Sequence, residues 1–180
     1  MQLKSRFRTL AGAVMCAVAI SAASSLHAQS RSAVKIVTLG TSNTQGWGVA
    51  TSDAYPSRLQ ELLTARGMEA VVLNAGIAGD TTRGMLARLD RAVPEGVDLV
   101  ILQPGTNDER MGLGAERSAN IEAIRARLTA RTIKLIVIEN ADLDALPRSE
   151  LRDDGVHFTP AGYAILAERV LAQVFAALGK

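Results

Sequence analysis

Ser42 follows Gly40-Thr41 at the end of an apolar run, and Asp154 stands three residues ahead of His157 in Asp153-Asp154-Gly155-Val156-His157. A hydroxyl, an imidazole and a carboxylate are the groups that activate a nucleophile for attack on an acyl carbonyl. A carboxylate three residues before the ring can curl back within one turn to hold Nδ1–H, leaving Nε2 free to face Ser42 as general base. Three donors are candidates for the oxyanion that such an attack creates. They are the backbone N–H of Ser42, the backbone N–H of Gly79 in Asn74-Ala75-Gly76-Ile77-Ala78-Gly79-Asp80, and the side-chain amide of Asn107 in Gly105-Thr106-Asn107-Asp108. Each residue also has an ordinary reading. Ser42 can be a turn or cap residue, His157 a surface residue near a helix start, Asn107 a turn closer, and Gly79 a glycine selected for its backbone angles. Trp47, the single tryptophan, lies in Gly46-Trp47-Gly48. It reads either as core packing or as an aromatic wall beside a substrate group.

Other chemistries are excluded by count. The 180 residues include two histidines and one cysteine, and His27 and Cys16 both fall in the first 28. That stretch has a basic start (Lys4, Arg6, Arg8), an apolar run of small residues from about Leu10 to Ala23, and Ala28 as a small residue for cleavage. It therefore reads as a secretory signal at 1–28, with one domain at 29–180 and a periplasmic or secreted destination. An uncleaved anchor is the alternative, and no later apolar run reaches the length of a membrane span. Once the signal is removed, His157 is the sole imidazole and no thiol remains, so disulfides, thiol nucleophiles and Cys/His zinc clusters are not expected. Asp142 and Asp144 read as a solvated loop with no metal-ligand set around them. The chain carries 20 Lys+Arg against 18 Asp+Glu, and without the three basic residues of the signal the balance is one net negative charge. Nothing basic is left to suggest nucleic acid. The Gly46-Trp47-Gly48 and Gly112-Leu113-Gly114 triplets do not complete a phosphate-cradling motif.

The candidate groups fall at regular positions along the chain. Val34 to Leu39, Ala70 to Leu73, Val97 to Gln103 and Ile133 to Glu139 are continuous apolar runs, the pattern of strands buried on both faces of a parallel sheet. Amphipathic stretches separate them. Asp53 to Arg66 stops at Gly67; a helix capped by Asp80 or Thr81 runs to about Val93; Ser118 to Arg131 carries Ile121, Ile124 and Leu128; and Thr159-Pro160 opens a helix to about Leu178. This order predicts an α/β fold, a three-layer α/β/α sandwich around a central parallel sheet. Each chemical cluster then follows a strand or precedes the last helix, on the rim where open parallel sheets bind ligands.

At this point the sequence resembles the SGNH, or GDSL, hydrolases. Four blocks lie in the family's order over nearly the whole chain after the signal: LGTSNTQGWG, NAGIAGDTT, PGTND and DDGVHFTPAGY. The resemblance is greatest to the bacterial arylesterase and thioesterase/lysophospholipase branch. It implies a flavodoxin-like fold, a catalytic Ser42, Asp154 and His157, and an oxyanion hole of Ser42, Gly79 and Asn107. It implies no cofactor. Two departures stand out. Thr41 replaces the family's aspartate before the nucleophile, a change expected to tune rather than abolish activity. The stretch Asn140 to Asp153 is too short for both the helix and the fifth strand that relatives carry there, so either the sheet has four strands rather than five or the loop supplies a short edge piece, and the placement of Asp154 and His157 is at issue.

The expected activity is hydrolysis of small-molecule, lipid or glycan esters through an acyl-enzyme on Ser42, with no stable membrane insertion after signal removal. Two alternatives stand beside it: an O-deacetylase of envelope glycans, and a non-catalytic binding module that has lost the dyad geometry. A His157 more than about 5 Å from Ser42 favours the module, against a working range of about 2.6–3.2 Å. The short connection also predicts an open cleft suited to short or exposed acyl groups.

Overall fold

The structure is a computed structural model that describes residues 33–180. The segment read as an export signal, with Cys16 and His27, lies outside the described residues. The described chain runs β1 (Val34–Gly40), α1 (Ser42–Gln45), α2 (Tyr55–Ala65), β2 (Ala70–Gly76), α3 (Thr82–Ala87), α4 (Leu89–Ala92), β3 (Leu99–Gln103), α5 (Asn107–Arg110), α6 (Gly114–Ala130), β4 (Lys134–Val137), α7 (Asn140–Asp144) and α8 (Pro160–Leu178). Single 3-10 turns occur at Thr51–Asp53 and Arg148–Glu150.

The four strands are all parallel in the order β2-β1-β3-β4. Their apolar runs supply two separate cores, one on each face of the sheet. Ile36, Leu99, Ile101 and Ile136 face α2 and α8 through Leu59, Leu63, Tyr163, Leu166 and Val170. Val37, Leu39, Val100 and Leu102 face α3, α4 and α6 through Met85, Leu89, Ile121, Ile124 and Leu128. The three-layer sandwich is therefore present, with four strands.

The ends of the elements follow from local chemistry. In α8, Pro160 occupies the first helical position and the Thr159 hydroxyl accepts from the Gly162 N–H at 3.1 Å. Thr81 caps α3 in the same way, accepting from Gly84 N–H at 3.2 Å. The single helix expected from there to Val93 is divided at Arg88, whose guanidinium reaches out to Asp80. By composition α8 is long and apolar enough to cross a membrane, contrary to the expectation from run length. In the fold its apolar face, including Tyr163, Leu166 and Val170, is core.

One expectation about burial fails. β2 is not buried on both faces, because Val71 and Leu73 are exposed at 45% and 43%. β2 is an edge strand. Its Ala70 and Val72 pack on the α2 side, while the helices of the other layer cover β1 and β3 and leave that face of β2 open. An apolar run thus identified a strand but not its place in the sheet.

The strand order sets the position of the site. The chain moves outward from β1 to β2 and then returns to place β3 on the other side of β1. The crevice at such a reversal, outside the carboxyl ends of the strands, is where open α/β sheets bind ligands. Gly40 and Gln103 are in register at that rim, so the segments beginning at Thr41 and at Pro104 leave the sheet side by side.

Candidate active site

Ser42 is the first residue of α1, directly after β1. The tight strand-to-helix turn needs a glycine at position 40, since a Cβ there would lie 2.1 Å from Thr44 Oγ1 and 2.8 Å from the Gln103 carbonyl. Behind the turn, Gln103 Oε1 accepts from the Thr41 N–H at 3.3 Å, from the Thr41 hydroxyl at 2.9 Å and from the Thr44 hydroxyl at 3.1 Å. Thr41, in the position where the family carries aspartate, is thereby tied to the end of β3 by both its backbone and its side chain.

The short connection delivers His157 to this turn. Arg152 N–H donates to the His157 carbonyl at 2.8 Å, and Thr159 N–H donates to the Glu150 carbonyl at 2.8 Å, around an antiparallel bridge between Leu151 and Phe158. The two arms of this clasp hold Asp153-Asp154-Gly155-Val156 as its tip. There Asp154 Oδ1 accepts from the backbone N–H groups of Val156 and His157, both at 2.9 Å, while Oδ2 lies 2.7 Å from His157 Nδ1. The far ring nitrogen, Nε2, is 2.8 Å from Ser42 Oγ. The His157 backbone N–H, then its ring and the Val156 N–H, hold the Asp154 carboxyl well below the usual carboxylate range.

The three groups that could receive an oxyanion lie around the same cavity, which has a volume of about 1060 Å³ and includes Ser42, Gly79, Asn107, Trp47 and His157 in its lining. Ser42 and Gly79 N–H groups have no hydrogen-bond acceptor among the described residues. Gly79 adopts φ +78° with open space where a Cβ would be. The demand on that residue is thus conformational, and the left-handed backbone is what leaves its N–H available. Next to it, Ala78 N–H donates to Gln45 Oε1 at 2.7 Å, fixing the loop to α1. Asn107 Nδ2 donates to the Asp80 carbonyl at 2.9 Å, which orients the amide and leaves its second N–H free. Asp80 and Asp108 belong to the same network. Asp80 Oδ2 pairs with Arg88 Nε at 2.8 Å, and buried Asp108 accepts from the Thr82 N–H at 3.0 Å and from its hydroxyl at 2.5 Å. Trp47 is 52% exposed, with its ring centroid 6.3 Å from that of His157. It is not a core residue.

Two residues that sequence reasoning passed over join the nucleophile turn to the histidine loop. Tyr163 on α8 donates its hydroxyl to Asn43 Oδ1 at 3.0 Å, and Asn43 Nδ2 donates to the Val156 carbonyl at 3.2 Å. Asn43 is next to Ser42 and Val156 is next to His157, so this chain of bonds fixes the distance across the dyad. The only local signal was Asn43 in the nucleophile block; Tyr163 lies 120 residues away. The connection also rebuilds the wall whose loss the sequence predicted, since Asn140, Leu143, Leu146, Arg148 and Leu151 line the cavity.

Among the described residues no group of His, Asp and Glu is arranged to hold a metal ion. The arrangement instead suits acyl transfer: a hydroxyl within hydrogen-bonding range of an imidazole, a carboxylate holding that imidazole, and free N–H donors beside the hydroxyl.

Comparison with known proteins agrees with this chemistry. The chain is 35% identical over 88 residues to an arylesterase of Vibrio mimicus, a match covering 48% of this chain and 44% of the relative. It is 30% identical over 115 residues to the esterase TesA of Pseudomonas aeruginosa, covering 63% of this chain and 57% of that protein. The matches thus span about half the length of these curated relatives. In structure it is similar to the psychrotrophic esterase EstA from Pseudoalteromonas sp., with a TM-score of 0.72 at 17% identity, covering 81% of this chain and 99% of that one. At that identity the likeness speaks to the fold. The pattern of the GDSL-like lipase/acylhydrolase family matches residues 38–148, through the β3 block and into the connection, ending before Asp154 and His157. With most of the described chain inside that match, this protein belongs to the GDSL-like lipase/acylhydrolase family.

Proposed function

We propose that this protein is an exported serine ester hydrolase. The observation that carries the reading is the continuous Ser42–His157–Asp154 array, with separations of 2.8 Å and 2.7 Å. It lies partly outside the segment that the family pattern matches, so it is an independent support. In the proposed reaction Ser42 Oγ attacks the ester carbonyl while His157 Nε2 takes its proton. The negative charge on the carbonyl oxygen is received by the Ser42 and Gly79 N–H groups and the Asn107 amide. Collapse of the tetrahedral intermediate breaks the bond to the alcohol oxygen, which leaves with the proton from His157. Water then attacks the acyl-enzyme, His157 accepts its proton and returns it to Ser42 Oγ, and the acid departs.

The spacing of 2.8 Å falls inside the hydrogen-bonding range and so weighs against a non-catalytic module. The basic and apolar segment ending near Ala28 supports export, with 29–180 as the working domain. A fluorophosphonate probe tests the central step. Labelling of wild type at Ser42, absent in Ser42→Ala, is expected; an unlabelled but folded wild type overturns the proposal. Aryl acetates and acetylated sugars assayed side by side separate a general esterase from a glycan deacetylase. N-terminal sequencing of the protein recovered from the periplasm or medium is expected to begin near Gln29.

A further inference from the structure

The cavity around Ser42 has a distinct charge. Arg88 pairs with Asp80, Arg117 with Glu139 and Arg127 with Asp90. Among the described residues Arg66, Arg91 and Arg152 form no salt bridge, and neither do Arg110 and Arg148. Arg110 and Arg148 are both exposed, both line the cavity, and among the described residues neither guanidinium has a carboxylate or carbonyl partner. They arrive from different elements. Arg110 ends α5, three residues after Asn107, and Arg148 opens the 3-10 turn in the connection between β4 and the histidine clasp. The one carboxylate in the lining is Asp144, which forms no salt bridge with either arginine. Asp154 is committed to His157, Asp108 is buried against Thr82, and Glu109 faces Arg117 at 3.6 Å. The cavity lining therefore carries net positive charge in a domain whose overall charge is close to zero. Trp47, Met111 and Val156, exposed at 52%, 58% and 41%, line the same space.

Two unpaired guanidinium groups beside exposed apolar side chains match a ligand with an anionic group attached to an apolar body. We propose that this site selects esters bearing a carboxylate or phosphate, with Arg110 and Arg148 binding the anion while the apolar part rests on Trp47, Met111 and Val156. This deepens the ester-hydrolase reading and rests on it for turnover, though not for binding.

The test uses matched pairs of esters. Mono-4-nitrophenyl adipate against 4-nitrophenyl hexanoate places a carboxylate on the acyl side, and 1-hexanoylglycerol 3-phosphate against 1-hexanoylglycerol places a phosphate on the alcohol side. In at least one pair, kcat/KM of wild type is expected to favour the anionic member by about tenfold, a preference that shrinks as salt is raised. The pair that shows it identifies the side on which the anion sits. The ratio of anionic to neutral kcat/KM falls towards one in Arg110→Gln/Arg148→Gln and rises in Asp144→Asn. Binding of the intact esters to Ser42→Ala gives a second readout independent of hydrolysis, in which the anionic member binds more tightly. Ratios near one in both pairs for wild type, or a ratio unchanged in the folded double variant, overturn the proposal. Tighter anion binding to Ser42→Ala without turnover of any ester by wild type instead overturns the hydrolase reading and leaves the anion site standing.

Discussion

Asp154 accepts two backbone N–H bonds from its own loop and holds the His157 ring at 2.7 Å. Because these bonds favour the ionised form, the carboxylate stays charged across the usual carboxylate range. The kcat/KM profile is therefore expected to show no inflection from Asp154 between about pH 3.5 and 5; an inflection there that disappears in Asp154→Asn would show that the carboxyl titrates in its ordinary range. The same depressed carboxyl makes a stability prediction. A group held below its unfolded pKa contributes stability that is complete above the unfolded value and lost as pH falls through the folded one. The stability gap between wild type and Asp154→Asn should thus be constant near neutrality and close progressively below about pH 4, as read from urea midpoints against pH. For the reaction itself, His157→Gln should lower kcat by about 10³-fold, since the described chain has no other imidazole to serve as base. Asn107→Ala should lower it by about 10²–10³-fold through loss of one oxyanion donor.

The elements decide whether these residues meet. Ser42 and His157 are 115 positions apart, and the bonds from Tyr163 through Asn43 to Val156 are what couple α8 and α1 to the histidine loop. Burial pushes the Tyr163 hydroxyl up to about 12, so it remains a donor at any working pH. Tyr163→Phe removes that donor and leaves Asn43 Oδ1 short of a partner at a buried position, which should cost about 1–3 kcal/mol of stability. It should also lower kcat more than it raises KM, because the change loosens the dyad rather than the substrate cavity. Unchanged kcat in the folded variant would remove Tyr163 from the positioning role. This is also where the sequence stops being informative. The strands were legible because Val34 to Leu39 and Val97 to Gln103 are apolar throughout, and α8 because Thr159-Pro160 marks its start. The helices α1, α5 and α7, of four or five residues, left no periodicity to detect. Ser42, Asp154, His157, Gly79 and Asn107 stood in recognisable local blocks. The Asn43–Tyr163 bond did not, because it is a property of tertiary packing between residues whose sequence neighbourhoods are unrelated. The exposure of Val71 and Leu73 escaped for the same reason, since a strand's own residues do not say which side of the sheet the helices cover.

At the scale of the whole molecule, β3 links everything. Ile101 points into the core shared with α2 and α8, and its neighbour Leu102 points into the core shared with α3, α4 and α6. The last residue of the strand, Gln103, anchors the nucleophile turn through Thr41 and Thr44. A domain built this way should not lose one face, or its site, before the other. The expected outcome for the chain beginning at residue 29 is a single cooperative urea transition, with far-UV circular dichroism reporting the helices and Trp47 fluorescence reporting the site. Ile101→Ala and Leu102→Ala should each cost about 2–5 kcal/mol, since both side chains are fully buried. Each should move both signals together even though the two mutations open cavities on opposite faces of the sheet. If Trp47 fluorescence changed at lower urea than the helical signal, the loop carrying it would be a separate unit and the site would be only loosely coupled to the sheet. Coincident shifts from either core would instead mean that the geometry between Ser42 and His157 is maintained by the stability of the entire domain.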